Sequence, residues 1–269
     1  MNRIDATMQA LAATGRKAFV AYITAGDPDL ERSEAIIAAL AEAGVDIIEL
    51  GFPYSDPMAD GPVIQAAGER ALAAGTTVPG ILAMVARLRR RTQVPLLAFT
   101  YINPLLRYGV ERFVSDAAAA GLDGILPLDL PPEQDRGLAS AATAAGLALV
   151  RLVAPNTVPA RRRTLARSSS GFIYYVCRYG VTGERSALPE DLAEQVADLR
   201  RHAGGVPVCI GFGIASPQQA AAAAAIGDGA VVGSHLVQLV AEHRQDPQVA
   251  AIVADRAAAL AAAVHEVAR

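Results

Sequence analysis

Eight short apolar runs, each followed by a stretch with helical periodicity, recur along the chain, and that recurrence constrains the fold more than any other feature. They fall at residues 18–24, 47–50, 96–101, 124–128, 148–153, 172–176, 208–211 and 230–233. Strands that alternate with helices demand right-handed crossovers and a parallel sheet. Eight such units in 269 residues, close to the ~250 residues usual for the fold, predict an α/β architecture, the closed (β/α)8 or TIM barrel. No linker separates the units, so residues 1–269 are expected to form a single domain. Residues 1–13 put Ile4, Met8 and Leu11 on one helical face, which predicts an extra N-terminal helix packed on the barrel. Residues 247–268 predict a C-terminal closing helix, and the alanine run 220–225 predicts a tightly packed one.

In a barrel of this kind the chemistry is carried by the C-terminal ends of the strands and the loops after them. The second run ends in Glu49, between Ile48 and Leu50, where burying an unpaired charge is costly. The loop that follows is dense in proline, glycine and carboxylates, and it is long enough to carry Asp60 back beside the strand end. Two carboxylates in unlike surroundings can take different protonation roles. Asp56 and Asp60 also read as ordinary turn residues whose side chains bond nearby amides. On the same rim, glycines follow the last three runs: Gly180 and Gly183 around Thr182, then Gly211 and Gly213, then Gly233 before Ser234. Glycine lets backbone amides approach an anion, and a helix start adds donors, so these loops predict a phosphate site. Tyr174 and Tyr175 must face opposite ways in a strand, so only one of them lines the interior.

Other chemistries lack their groups. A Schiff base needs an amine at the catalytic rim, and the only lysine, Lys17, precedes the first run at the opposite end. Metal-assisted chemistry needs clustered ligands, whereas His202, His235, His243 and His265 belong to late helices, so no metal is expected. His235 reads as a first-turn helix residue near the phosphate end. Cys177 and Cys209 are too few for a disulfide framework, and no signal-peptide core or ~20-residue apolar span is present, which points to the cytoplasm and away from membrane. A net charge of -3 offers no attraction to nucleic acid. Carbon–carbon or proton-transfer chemistry here should therefore be driven by carboxylates.

Glu49-Leu50-Gly51, Pro53, Ser55-Asp56-Pro57 and Ala59-Asp60-Gly61-Pro62 closely resemble the signature of the tryptophan synthase α subunits. Gly180-Val181-Thr182-Gly183, Gly211-Phe212-Gly213 and Gly233-Ser234 match the later motifs of that family in order, so the resemblance spans essentially the whole chain. It implies retro-aldol cleavage of indole-3-glycerol phosphate to indole and glyceraldehyde 3-phosphate in tryptophan biosynthesis. It also implies that Glu49 handles proton transfer, that Asp60 holds the indole N–H, and that Tyr174 lines the pocket. Gly183, Gly213, Gly233 and Ser234 would then contact phosphate, with Thr182 and Gly211 in the same loops. No cofactor is implied in this chain. Pyridoxal phosphate would sit in a β subunit, which takes indole directly within an α2β2 heterotetramer.

On the same resemblance, Pro53, Asp56 and Pro57, with Asn103 and Pro131 on the neighbouring rim loops, match the β-subunit contact surface. The prolines also read simply as strand terminators. Residues 177–188 are expected to close over phosphorylated ligand as a lid. Phe52, Tyr54, Pro127 and Cys177 depart from residues common in the family, and they touch pocket shape and loop stiffness, not the charged groups. Other readings stay open: a stand-alone indole-3-glycerol phosphate lyase, another phosphosugar-barrel isomerase or synthase, which would have no reason for the loop around Ser55 to Asp60, and a non-catalytic phosphate binder.

Overall fold

The computed structural model describes residues 2–135, 137–177, 191–211 and 213–267. Its strands are β1 (Ala18–Thr24), β2 (Ile47–Gly51), β3 (Leu96–Thr100), β4 (Gly124–Pro127), β5 (Ala148–Leu149), β6 (Arg151–Val153), β7 (Ile173–Val176), β8 (Val208–Gly211) and β9 (Gly229–Val232). All pair in parallel in the order β5-β4-β3-β2-β1-β9-β8-β7-β6. The two ends of that order are consecutive in the chain. They flank Val150, whose N–H still donates to the Ile125 carbonyl at 3.0 Å. β5 and β6 are thus two halves of the fifth apolar run, and the sheet comes round on itself as a barrel of eight β/α units. The interruption has a local cause. Leu149 N–H donates to Ser170 Oγ at 2.7 Å, and Ser170 N–H donates to the Leu149 carbonyl at 2.9 Å, so a turn lies against Leu149 in place of a strand.

Successive side chains leave a strand on opposite faces, and this sorts the apolar residues into two cores. Phe19, Ile48, Ala98, Ile125, Ile173, Ile210 and Val232 face outward and pack under the surrounding helices. Val20, Ile47, Leu97, Leu126, Val150, Phe172, Cys209 and Val231 fill the barrel interior. The helix Arg3–Ala13 joins the inner core through Ile4, Met8 and Leu11, with Ile4 against Gly124 and Gly171 at the strand starts, and so stops the N-terminal end. Asn2 caps it by accepting from Asp5 N–H at 3.0 Å. Lys17 lies at this end too, just before β1, donating to the Gly227 carbonyl at 2.8 Å. The helix Val249–His265 closes the barrel by burying Val253, Leu260 and Val264 against its neighbours. The alanine run lies in the helix Pro217–Ile226, which starts with a full capping box between Ser216 and Gln219. Among the described residues no single helix is long and apolar enough to cross a membrane.

Candidate active site

β2 delivers Glu49 into the barrel. Ile48 and Leu50 face the helices, so the two-residue period turns Glu49 inward, where it is fully buried and neither carboxyl oxygen has a hydrogen-bond partner. Burial without a partner disfavours the charged form and pushes its pKa up to about 8. Glu49 is therefore an acid that keeps its proton at neutral pH.

Asp60 is placed by the architecture of its loop. Its N–H donates to the Pro57 carbonyl at 3.0 Å, and Gln65, on the helix Pro62–Ala73, donates to the Asp60 carbonyl at 2.9 Å. Ala59 N–H donates to the Tyr101 hydroxyl at 3.0 Å, which pins the loop to the end of β3. Burial raises the Asp60 pKa to about 6, against the opposing effect of a hydrogen bond with Tyr101. Asp60 is ionised at neutral pH. The two carboxyl groups thus fall on opposite sides of neutrality, the arrangement that separates an acid from an anion in one site.

Tyr22, which pairs in register with Glu49, stands near both: burial raises its pKa first, then the charge of Asp60, and that of Glu49 once it ionises. Phe99 stands edge-on to Tyr22 with ring centroids 5.0 Å apart, and 6.5 Å from Tyr174. Asp60, Phe99, Leu128, Leu152, Tyr174 and Val176 line a cavity of ≈ 480 Å³. Largely apolar walls, with Asp60 and Asn156 as the polar groups, suit a flat aromatic ligand with polar edges. Tyr174 is the inward tyrosine. Tyr175 points out to the helix Leu192–His202, where its hydroxyl donates to Gln195 at 2.8 Å.

The rim glycines differ in what they do. Gly211 is buried at the end of β8, and a Cβ there would stand 2.5 Å from the Tyr174 hydroxyl, so its first effect is to seat that tyrosine. Gly51 does the same for Tyr22, with a Cβ only 2.0 Å from its hydroxyl. Gly213 is exposed with φ +76°, a backbone that glycine alone adopts readily. Gly233 precedes the helix Ser234–His243, whose first amides have no side-chain cap. Thr182 and Gly183, with the rest of residues 178–190, lie outside the described residues. Cys177 is buried, and burial pushes its thiol up to about 11, which leaves it unreactive.

Pro53, Asp56 and Asn103 line one groove on the rim with Tyr54 and Arg107. Asn103 donates to the Tyr54 hydroxyl at 2.9 Å, and the Tyr54 ring lies 5.3 Å from that of Tyr101. The residue that pins the Asp60 loop therefore also leans on the groove. Pro57 precedes Met58, which is 93% exposed. Pro131 lies on the next loop, held by the buried Arg151, which donates to the Leu130 carbonyl and to Asp135, each at 2.9 Å. Sequence reasoning did not reach Tyr22, Phe99, Tyr101, Leu128 or Leu152. Alternation from Glu49 gives a face within one strand, but only cross-strand register brings Tyr22 and Phe99 to the same mouth.

A parallel barrel that buries a glutamic acid on its second strand and sets an aspartate from the following loop into an aromatic-walled cavity belongs to the class of TIM-barrel proteins with carboxyl groups at the C-terminal mouth. The family model described as tryptophan synthase alpha chain matches residues 8–265. The tryptophan synthase alpha chain of Geobacter sulfurreducens is 53% identical over 239 residues, covering 89% of this chain and 90% of that relative. That of Geotalea daltonii is 52% identical over 238 residues, covering 88% and 90%. The solved structure of Mycobacterium tuberculosis tryptophan synthase superposes with a TM-score of 0.88 at 37% identity, covering 98% of each chain. The chain belongs to the tryptophan synthase alpha chain family, the lyases that cleave indole-3-glycerol phosphate.

Proposed function

We propose that Glu49 and Asp60 divide the cleavage between them, and the observation that carries this reading is their displacement to opposite sides of neutral pH. Glu49 donates its proton to indole C3. Asp60 accepts the indole N–H and balances the positive charge that spreads over the protonated ring. The carbon–carbon bond then breaks as the neighbouring hydroxyl gives its proton to the Glu49 carboxylate. The electrons return to the ring, indole and the aldehyde form, and Glu49 regains its starting state. Tyr174, with Phe99, Leu128 and Leu152, walls the slot that takes the ring, and water displaced by the bound ring would strengthen the carboxyl interactions.

Gly183, Gly213, Gly233 and Ser234 hold the phosphate, with Thr182 and Gly211 in the same loops, through backbone amides and the start of the helix Ser234–His243. Residues 1–269 act as one barrel domain in the cytoplasm, with no cofactor of their own. A β subunit carrying pyridoxal phosphate docks on Pro53, Asp56, Pro57, Asn103 and Pro131 in an α2β2 assembly and receives indole directly. Support for that surface comes from the groove that joins Pro53, Asp56 and Asn103 to the Tyr101 anchor of the catalytic loop. The test is indole release from indole-3-glycerol phosphate by the purified chain and by Glu49→Gln. The variant is expected to fold and bind substrate with turnover reduced at least ~100-fold. Retention of more than about a tenth of the wild-type kcat, far above that scale, overturns the assignment.

A further inference from the structure

Behind the loops that follow β8 and β9 stands a pair of side chains that the cleavage chemistry does not use. Arg256, on the helix Val249–His265, donates from Nε to His235 Nε2 at 2.7 Å and from Nη2 to the Ala215 carbonyl at 3.2 Å. His235 follows Ser234 in the first turn of its helix, and Ala215 lies just beyond Gly213. One guanidinium therefore spans both glycine loops. By accepting at Nε2, His235 holds a neutral ring with its proton on Nδ1. Burial and the charge of Arg256 resist a second proton and lower its pKa, with Glu242 acting the other way. Among the described residues no carboxylate forms an ion pair with Arg256, so both of its partners are neutral and the guanidinium keeps its whole charge. Backbone amides and a helix start supply only partial charges, whereas a phosphate group brings close to two full negative ones.

We propose that Arg256 is a positioning and specificity residue for the phosphate end of the substrate: tied to His235 and Ala215, it clamps the loops after β8 and β9 together and stands a positive charge behind them. The inference rests on the reading of Gly213, Gly233 and Ser234 as the phosphate subsite. Arg256→Gln, Arg256→Lys and Ser234→Glu in the full chain separate the two. Each is assayed for cleavage, and glycerol 3-phosphate is titrated calorimetrically at low and high salt. Arg256→Gln is expected to raise KM and the Kd for glycerol 3-phosphate on the order of tenfold at low salt, with kcat within about twofold, and to flatten the salt dependence of binding. Arg256→Lys keeps the salt dependence and weakens binding less, since the charge remains while the fork is lost. A role in helix packing alone would lower Tm and leave the salt slope as in wild type. An unchanged KM and slope in folded Arg256→Gln overturn the inference. Ser234→Glu repels a dianion and is expected to abolish glycerol 3-phosphate binding. Normal binding by that variant means that the phosphate subsite itself is misplaced, whereas lost binding beside a silent Arg256→Gln rejects only the role of Arg256.

Discussion

Glu49 makes the fold sensitive to pH in a defined direction. Its pKa is about 8 in the folded chain against an ordinary 4.5, so the folded state holds the proton more tightly than the unfolded one. The stability this provides is fully present below about pH 4.5 and is lost as pH rises through about 8, on the order of 5 kcal/mol in all. Glu49→Gln carries no charge at any pH. Denaturant titrations at pH 5 and pH 9 are expected to show the variant gaining on wild type as pH rises, and a gap that does not change with pH contradicts the buried acid. The profile of kcat/KM should be a bell, with an alkaline limb near 8 from Glu49 and an acidic limb near 6 to which Asp60 contributes. Substrate phosphate titrates near the same acidic value. Tyr101→Phe separates the two, because it removes the hydrogen bond that holds the Asp60 pKa down and so moves the acidic limb upward only if Asp60 is responsible. Glu49 was legible in the sequence because a lone charge in an apolar run calls for a reason. Tyr22 and Tyr101 were not, since an aromatic residue in or beside an apolar run reads equally well as core.

At the scale of the elements, the strand ends are set by what their glycines leave room for. Gly211→Ala would place a methyl 2.5 Å from the Tyr174 hydroxyl and 2.8 Å from Val231 Cβ. Overpacking of this kind costs about 1–3 kcal/mol, read as a lower denaturation midpoint. Adding Tyr174→Phe removes the nearest atom and is expected to restore part of the loss; no recovery would mean that the strain falls on Val231. All eight strands could be read from the sequence, as could the inward turn of one tyrosine out of two. The break at Val150 could not, because residues 148–153 are apolar except Arg151 and the interruption comes from Ser170, which meets Leu149 only in the folded barrel. Arg151 is hidden in the sequence for a similar reason. It is a buried strand cation whose partners, Leu130 and Asp135, lie on a different loop.

For the molecule as a whole, Tyr101 stands between the rim groove and the Asp60 loop: its ring lies against Tyr54, which lines the groove, and its hydroxyl accepts from Ala59 of the loop. The isolated chain is expected to be a slow lyase that a β subunit accelerates. Asp56→Ala should weaken that acceleration more than it weakens basal turnover, measured at saturating substrate with increasing β subunit. Full activation of the variant removes Asp56 from the coupling, and absence of activation in wild type favours the stand-alone lyase. The motifs announced the catalytic mouth, but the foot of the barrel carries its own message. With Ile4, Met8 and Leu11 packed into it, the barrel is stopped at that end among the described residues, and access is expected through the opposite mouth. On the proposed docking, arriving substrate and departing product share the rim that a β subunit covers, so the order in which visitors come and go is expected to be a property of the assembly and not of the chemistry.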